Sequence, residues 1–138
     1  MAASTGPREA ARKPGQRQSY KIGAVKINKG TLTFARVADG FGYPARTTAN
    51  ITDVFLGVSF ETIDNSAGVA GAKNILVEKT GSYVFALATV QTSVGQPVYA
   101  LDDQTLTLTS SAAVVLVGYI EEIIDASNVR IRIDRAVN

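Results

Sequence analysis

The 138-residue chain contains neither cysteine nor histidine. The absence of cysteine excludes disulfides and thiolate chemistry. The absence of histidine removes the most common general base and metal ligand, together with every Ser-His or Cys-His nucleophile pair. Only carboxylates and lysines remain for acid–base work, so we expect a protein that is not an enzyme and that binds no metal and no cofactor.

Charged side chains and long apolar runs are also scarce. Charged residues make up 19% of the chain, against roughly 25% in an average globular protein. Such a surface is suited to burial by neighbouring molecules, although a soluble monomer with a mild surface is the alternative. No stretch approaches the roughly 20 apolar residues of a membrane span, and residues 1–7 lack the hydrophobic core of a secretory signal. We expect synthesis in a cytoplasm and no membrane contact.

The basic charge is concentrated near the N-terminus. Residues 1–29 carry seven basic side chains and one acid, whereas residues 30–138 carry seven basic and eleven acidic side chains. This asymmetry indicates a basic arm on a mildly acidic body. Residues 1–19 include two prolines and two glycines and show no apolar period, so they cannot form a core alone. The predicted organisation is an extended basic arm (1–19) and a β-rich domain (20–138).

Three roles are open for this arm. It could lie along an acidic groove of a partner protein, bind a phosphate backbone, or remain a solvated tail. Nucleic acid is the weaker of the two binding hypotheses because no aromatic residue precedes Tyr20 to stack on bases. We therefore predict a protein partner, contacted by basic residues at Arg8, Arg12, Lys13, Arg17 and Lys21.

The body reads as short β-strands separated by turns. In Val129–Asp134 apolar and charged residues alternate strictly, which is the period of a half-buried strand. Eight further segments have strand character: Tyr20–Ile27, Thr31–Arg36, Val54–Ile63, Asn74–Glu78, Tyr83–Leu87, Pro97–Leu101, Thr105–Thr109 and Val114–Ile124. The predicted fold class is all-β, a small barrel or sandwich of short antiparallel strands.

One stretch is predicted to be an irregular, partly aromatic loop. It spans Asp39–Ala49 and contains Pro44 among glycines and aromatic residues. Its aromatic residues Phe41 and Tyr43 are candidates for partner contact, with burial in the core as the alternative. Neither this loop nor the glycines of residues 67–71 has the Lys-Ser/Thr ending of a phosphate-binding loop.

A weak internal repeat relates two parts of the body. Leu56–Ser66 aligns with Val117–Ser127, and Gly, Glu, Ile, Asp and Ser match at the same spacing. The pattern predicts one strand–turn–strand unit used twice. The repeated acids, Glu61 with Asp64 and Glu122 with Asp125, could line a site for a hard cation, but turn chemistry is the simpler interpretation.

A resemblance to a known family appears in the second half. Gly95–Thr107 combines a glycine, a Val-Tyr pair, an acidic turn and a Thr-Leu-rich strand. This segment resembles the small capsid cement proteins, or head decoration proteins, of tailed bacteriophages. Val117-Gly-Tyr119, an acidic stretch and the alternating strand after it fit the same family, and Leu56–Val58 with Asn74–Glu78 and Gly81 resembles its first half. The similarity covers residues 26–137.

The resemblance implies a structural role in the virion. Cement proteins bind the outside of a capsid after the shell expands and reinforce joints between major capsid subunits, often as trimers. It thus implies the major capsid protein as partner, a homo-oligomer and a place on the capsid surface. The basic arm is a departure, since not every member has one. Two alternatives remain: a nucleic-acid-binding β-domain that uses the arm, and another virion part such as a tail or baseplate subunit.

Overall fold

A computed structural model of the chain describes residues 16–46, 52–88, 94–111 and 114–134. Within these ranges it contains no α-helix, and hence no helix that could cross a membrane. The strands there are β1 (Arg17–Lys21), β2 (Lys26–Ile27), β3 (Leu32–Ala35), β4 (Gly42–Pro44), β5 (Val54–Ser59), β6 (Ile63–Asp64), β7 (Asn74–Glu78), β8 (Ser82–Leu87), β9 (Pro97–Ala100), β10 (Thr105–Thr107), β11 (Val115–Ile123) and β12 (Asn128–Arg132). The predicted all-β fold class is confirmed.

The first half of the chain forms a five-stranded sheet in the order β1-β7-β5-β3-β4. All neighbouring strands in it are antiparallel. An isolated parallel bridge between Ile22, directly after β1, and Gly42 in β4 joins the two edges of the sheet. The short strands β2 and β6 pair with each other beside it.

The second half forms a closed barrel in which β8, β12, β11, β9 and β10 follow one another. The parallel pair β8–β10 closes the barrel, and Leu87 lies opposite Leu106 there. The first half has the same strand order: β1, β7, β5, β3 and β4 correspond in turn to β8, β12, β11, β9 and β10. The Ile22–Gly42 bridge corresponds to the Leu87–Leu106 pair. The chain is therefore one five-stranded unit folded twice, the N-terminal half (residues 16–79) and the C-terminal half (residues 81–134).

Hydrogen bonds outside the strands recur at matching places in the two halves. The Gly30 N–H donates to the Ser59 carbonyl at 2.9 Å, and the Gly95 N–H donates to the Ile120 carbonyl at 2.8 Å. Both glycines have left-handed backbones, with φ of 79° and 92°, and each stands two residues before its strand, β3 or β9. The same turn thus leads into the second strand of each unit.

A β-bulge marks the same place in β5 and β11. Leu56 is the extra residue of β5 opposite β3, and Val117 is the extra residue of β11 opposite β9. A glycine, Gly57 or Gly118, follows each bulge. The predicted strand–turn–strand repeat is confirmed, and the repeat extends to all five strands of each half.

The described residues form two hydrophobic clusters, and one of them is shared by the two halves. The interior of the N-terminal half is a cluster of its own, made of Ile22, Ile27, Leu56, Ile75 and Val77. The interior of the C-terminal half belongs to a larger cluster that includes four residues of the N-terminal half, Leu32, Phe34, Phe55 and Val58. The Leu32 N–H also donates across the junction to the Asp103 carbonyl at 2.8 Å.

The predicted strands are all present, most of them shorter than predicted. The segment Tyr20–Ile27 contains two strands, because the chain bends at Gly23, whose N–H donates to the Gly42 carbonyl at 3.1 Å. The predicted arm, residues 1–19, ends inside β1, which starts at Arg17. Residues 17–19 pair with β7, so this part of the segment lies in a sheet.

The prediction of an irregular loop at residues 39–49 is wrong in part, because Gly42–Pro44 forms β4. This strand pairs with β3 along one side, and Pro44 lies opposite Thr33. Proline lacks the N–H of a ladder hydrogen bond and is tolerated in an edge strand. The sequence signal of Pro44 therefore fits a short edge strand as well as a loop.

Candidate partner-binding surfaces

Three of the five basic residues predicted to contact a partner, Arg8, Arg12 and Lys13, lie outside the described residues. The other two, Arg17 and Lys21, lie at the two ends of β1. Burial alternates along this strand, and both residues are at its exposed positions. Their side chains therefore lie on the outer face of the N-terminal half.

Arg17 is held on this face by two contacts. Its Nε lies 2.8 Å from Oε1 of Glu78, the residue opposite it in β7. Its guanidinium carbon lies 4.0 Å from the ring centroid of Phe60, which is itself 38% exposed. Ion pairs and cation–π contacts at exposed sites each contribute up to about 1 kcal/mol. We call Arg17, Phe60 and the half-buried Glu78 the β1 patch.

The aromatic residues Phe41 and Tyr43 both belong to the β3–β4 hairpin and are half-buried. The Tyr43 ring covers Gly23, where a Cβ atom would overlap it. The Phe41 ring lies against Gly71, where a Cβ would stand 3.0 Å from its Cζ. Neither ring belongs to the two core clusters. Their contact with a partner stays a prediction.

Asp39 organises this hairpin. Its Oδ1 accepts the Phe41 N–H at 2.9 Å, and its Oδ2 accepts the Tyr43 hydroxyl at 2.6 Å. The bond from Tyr43, with that from Phe41, lowers the pKa of Asp39, and the same bond to Asp39 raises the pKa of Tyr43. The guanidinium carbon of Arg36 lies 3.8 Å from the centroid of the Tyr43 ring.

The two aspartates of the repeat, Asp64 and Asp125, each accept hydrogen bonds within their own turns. Asp64 Oδ1 accepts the N–H of Ser66 at 2.9 Å and its hydroxyl at 2.5 Å. Asp125 Oδ1 accepts the Ser127 N–H at 2.7 Å. The hydroxyl bond from Ser66 lowers the pKa of Asp64, and the backbone bond from Ser127 lowers the pKa of Asp125. The turn interpretation is confirmed for Asp64 and Asp125. Of the two glutamates, Glu61 accepts the Leu76 N–H at 3.1 Å and Glu122 contacts Arg130.

Two open clefts of about 500 Å³ each lie at the surface. The first follows the turn of residues 64–68, where the Lys73 Nζ donates to the Asp64 carbonyl at 2.7 Å. The second lies at the junction of the halves, between residues 29–31 and β8. The lining of both comes mainly from turns and strand ends.

One face of the N-terminal half is fully covered. On β3 and β5 it consists of two cross-strand pairs, Leu32 with Val58 and Phe34 with Phe55. The four side chains are between 0% and 5% exposed, and the Phe34 and Phe55 ring centroids are 5.3 Å apart. Because they belong to the cluster that fills the C-terminal barrel, this covered face is buried by the other half of the chain.

The same face of the C-terminal half is open. The strand pairing that matches β3 with β9 and β5 with β11 places two cross-strand pairs there, Pro97 with Tyr119 and Tyr99 with Leu116. Pro97 and Tyr119 are exposed, Tyr119 by 46%, and Tyr99 and Leu116 are half-buried. We call these four residues the open face. An aromatic and apolar surface that is core in one half is thus solvent-accessible in the other.

Ion pairs border the open face. Tyr119 lies opposite Arg132 of β12, whose Nη2 is 2.9 Å from Oδ2 of Asp134. The hydrogen bond to Asp134 raises the pKa of Arg132. Next to it the Nε of Arg130 lies 3.4 Å from Oε1 of Glu122. An exposed tyrosine within a polar rim is typical of protein interfaces.

Sequence reasoning missed the open face, although part of the signal was present. The alignment of Leu56–Ser66 with Val117–Ser127 puts Tyr119 at the place of Val58. A buried valine replaced by tyrosine indicates a position whose surroundings have changed. Tyr99 could not be found in this way, because only the strand pairing matches it with Phe34.

Neither a family model nor a curated protein matches the chain. Function is therefore inferred from the surfaces described above and from the resemblance of residues 26–137 to capsid cement proteins.

Proposed function

We propose that the chain is a structural virion protein that binds the outer surface of a phage capsid and reinforces contacts between major capsid subunits. The observation that carries the proposal is the position of Arg17 and Lys21. They are the first and last residues of β1, the strand that follows the basic N-terminal segment. This strand pairs with β7 on one side, and among the described residues a bridge from Ile22, directly after it, reaches Gly42 on the other side. The basic segment thus starts from a fixed strand.

A fixed starting point suits an anchor. The Gln16 carbonyl accepts the Lys79 N–H at 2.8 Å, so the chain is tied to the sheet directly before β1. The fifteen residues before Gln16 reach about 50 Å when extended, which is enough to contact a neighbouring subunit of a shell. Because its attachment point at β1 is fixed, the basic segment has less conformational entropy to lose when it binds a partner.

The role also fits the chemistry of the rest of the chain. Two acids of the repeat, Asp64 and Asp125, are engaged in turns, and the exposed Arg17 and Phe60 of the β1 patch are residue types enriched at protein interfaces. Many copies that each add a modest interface energy reinforce a shell by multivalency. The resembling segment, Gly95–Thr107, supplies β9, β10 and the turn between them.

A nucleic-acid-binding role is the second candidate, and one observation favours it. Residues 16–79 carry eight basic and five acidic side chains, a net charge of +3. The basic N-terminal segment adds to this charge. A phosphate-binding surface would lose affinity steeply with salt, whereas a capsid interface with apolar contacts would lose little. A tail or baseplate subunit would share the capsid-like salt response.

The test is co-sedimentation with undecorated shells assembled from the major capsid protein of the same source. The full-length chain is compared with a truncation that lacks residues 1–15, which leaves β1 intact. We expect the full-length chain to pellet with the shells and the truncation to bind at least about tenfold more weakly. Arg17→Ala and Lys21→Ala are the point variants, and Lys73→Ala, a lysine outside β1, is the matched control.

The outcomes separate the candidates. Failure of the full-length chain to pellet at any salt concentration would remove the capsid proposal. Retention by DNA or RNA at low salt, with loss of about 10³-fold or more between 50 and 200 mM salt, would establish the nucleic-acid role in its place. Binding to isolated tails or baseplates, but not to shells, would establish the third.

A further inference from the structure

We propose that the open face binds the N-terminal half of a second copy of this chain, at the place where β3 ends and β5 begins, so that copies associate head to tail. The contact inside the chain serves as the template. This inference concerns self-association and does not depend on a capsid partner.

The template is the way in which the C-terminal half buries the covered face. The covered side chains pack in one cluster with the interior residues of the C-terminal barrel, and a backbone bond joins them to the turn that follows β9. Asp103, in the turn after β9, accepts the Leu32 N–H. Val115, the first residue of β11, packs against the shared cluster, as does Leu108 after β10. One unit thus presents its β3–β5 face, and the next unit closes it with a barrel end.

The N-terminal half has a corresponding end, where β3 ends and β5 begins, and two described apolar side chains are exposed there. Strand pairing matches Val54, the first residue of β5, with Val115. Val54 is 52% exposed, whereas Val115 packs in the core cluster. The turn after β3 corresponds to the turn that contains Asp103, and its Val37 is 69% exposed. We call Val37 and Val54 the open end.

Each chain therefore carries both surfaces of the internal contact in exposed form, one in each half. Its C-terminal half has an open face of the type that is covered inside the chain. Its N-terminal half has an open end of the type that does the covering. Two copies can repeat the internal arrangement between them, which leaves an open face and an open end for the next copy.

Charge favours this pairing over a face-to-face contact. Residues 81–134 carry two basic and six acidic side chains, a net charge of −4, whereas residues 16–79 have a net charge of +3. A contact between unlike halves brings opposite charges together, and a contact between two C-terminal halves brings like charges together. Complementary potentials speed association and disfavour the wrong arrangement.

The association is heterologous, since two different surfaces of the chain meet. Heterologous contacts close into rings when the rotation between copies permits and otherwise form filaments. In a closed ring every open face is buried against the open end of the next copy.

Sedimentation velocity of the full chain tests the proposal over a range up to about 100 µM, where interfaces of standard size are populated. The variants are Tyr119→Glu on the open face and Val54→Glu on the open end. Val69→Glu, at a valine that is 77% exposed and lies on neither surface, is the matched control. We expect the wild type and V69E to associate, and Y119E and V54E to dissociate with Kd raised about 30-fold or more.

A mixture of the two blocked variants gives the sharper test. Y119E retains its open end and V54E retains its open face, so an equimolar mixture should form one-to-one dimers that grow no further. Tyr119→Ser and Val54→Ser repeat the test without added charge, and circular dichroism checks that all variants are folded. No other mode of self-association predicts dimers in the mixture alone.

Three outcomes would overturn the proposal. The first is a wild-type chain that stays monomeric over the whole range. The second is a mixture that remains monomeric while the wild type associates, which points to a symmetric contact. The third is Y119E that associates normally and instead loses binding to shells, which assigns the open face to the capsid protein. Self-association with no shell binding would sustain this inference and remove the capsid proposal.

Discussion

Gly57 and Gly118 occupy the same position in the two halves of the chain, directly after a bulge residue. At each of them a carbonyl oxygen of the next strand, that of Glu78 or Arg132, lies where the Cβ of any other residue would stand. The bulge brings the backbone of β5 or β11 so close to its neighbour that only glycine fits. The two glycines match in the sequence repeat and have the same steric role in both halves, so they connect the sequence repeat to the structural repeat most directly.

We expect Gly57→Ala and Gly118→Ala each to destabilise the fold by about 2–4 kcal/mol, because a backbone carbonyl cannot move aside cheaply. Gly57 adds backbone strain, since its φ is 139°. Gly40→Ala is the control: its φ is 74° but nothing stands within 4 Å of the added Cβ, so we expect about 1 kcal/mol. Urea unfolding followed by circular dichroism measures the three values. Equal losses at all three glycines would contradict the steric argument.

Sequence reasoning located the strands because alternation is a local signal. Val129, Ile131 and Ile133 alternate with charged residues, and all three are fully buried. It missed β1 at residues 17–19, since Arg17, Gln18 and Ser19 have no apolar period and are held by pairing with β7. The strand order and the open face depend on pairing between distant segments. No local pattern records these. The strand β4 was missed for a different reason, because Pro44 among glycines also indicates a loop.

The partly buried ion pair between Arg46 and Asp53, in the N-terminal half, makes a second prediction. Arg46 Nε lies 2.8 Å from Oδ2 of Asp53, and its Nη2 lies 2.9 Å from Oδ1. Asp53 is only 6% exposed, so its removal leaves the guanidinium without its main partner. We expect Asp53→Ala to cost about 2–3 kcal/mol. Glu122→Ala, which breaks the exposed pair with Arg130, should cost less than about 0.5 kcal/mol. Thermal and urea unfolding both measure the difference, and similar costs for the two variants would refute it.

The bond between Tyr43 and Asp39 predicts a dependence on pH. The lowered pKa of Asp39 means that its contribution to stability is present above the unfolded value of about 4 and is lost as the pH falls through the folded value. The raised pKa of Tyr43 means that its contribution is present below about 10 and is lost as the pH rises through the folded value. Both losses act on the same hydrogen bond.

We therefore expect Tyr43→Phe, which keeps the ring over Gly23, to lower the urea midpoint between about pH 5 and 9. The difference from the wild type should shrink below about pH 4 and above about pH 10. Asp39→Asn removes the titrating acid. The urea midpoint of this variant should therefore differ less from that of the wild type at low pH than at neutral pH. A Y43F effect that is constant from pH 3 to 11 would show that the hydroxyl bond does not carry it.

Arg17 and Lys21 differ in what their removal should do to the free protein. Arg17 contacts both Glu78 and Phe60, so Arg17→Ala should lower the free energy of unfolding by about 1 kcal/mol. Lys21, an exposed residue opposite Asn74, should change it by less than about 0.5 kcal/mol when replaced by Ala. Urea unfolding of the free protein separates these effects from any loss of partner binding. An R17A variant as stable as the wild type would show that the β1 patch does not hold the strand.

Phe55 and Leu116 occupy the same position of the two halves, one on the covered face and the other on the open face. Phe55→Ala opens a cavity in the shared core and should cost about 3–5 kcal/mol at every protein concentration. Leu116→Ala removes a half-buried side chain and should cost about 1 kcal/mol in the monomer. If copies cover the open face, the cost of L116A must grow with protein concentration, because only the associated form buries Leu116 fully. Unfolding midpoints measured from about 1 to 100 µM distinguish the two behaviours, and a cost for L116A that is independent of concentration would place the open face outside any contact between copies.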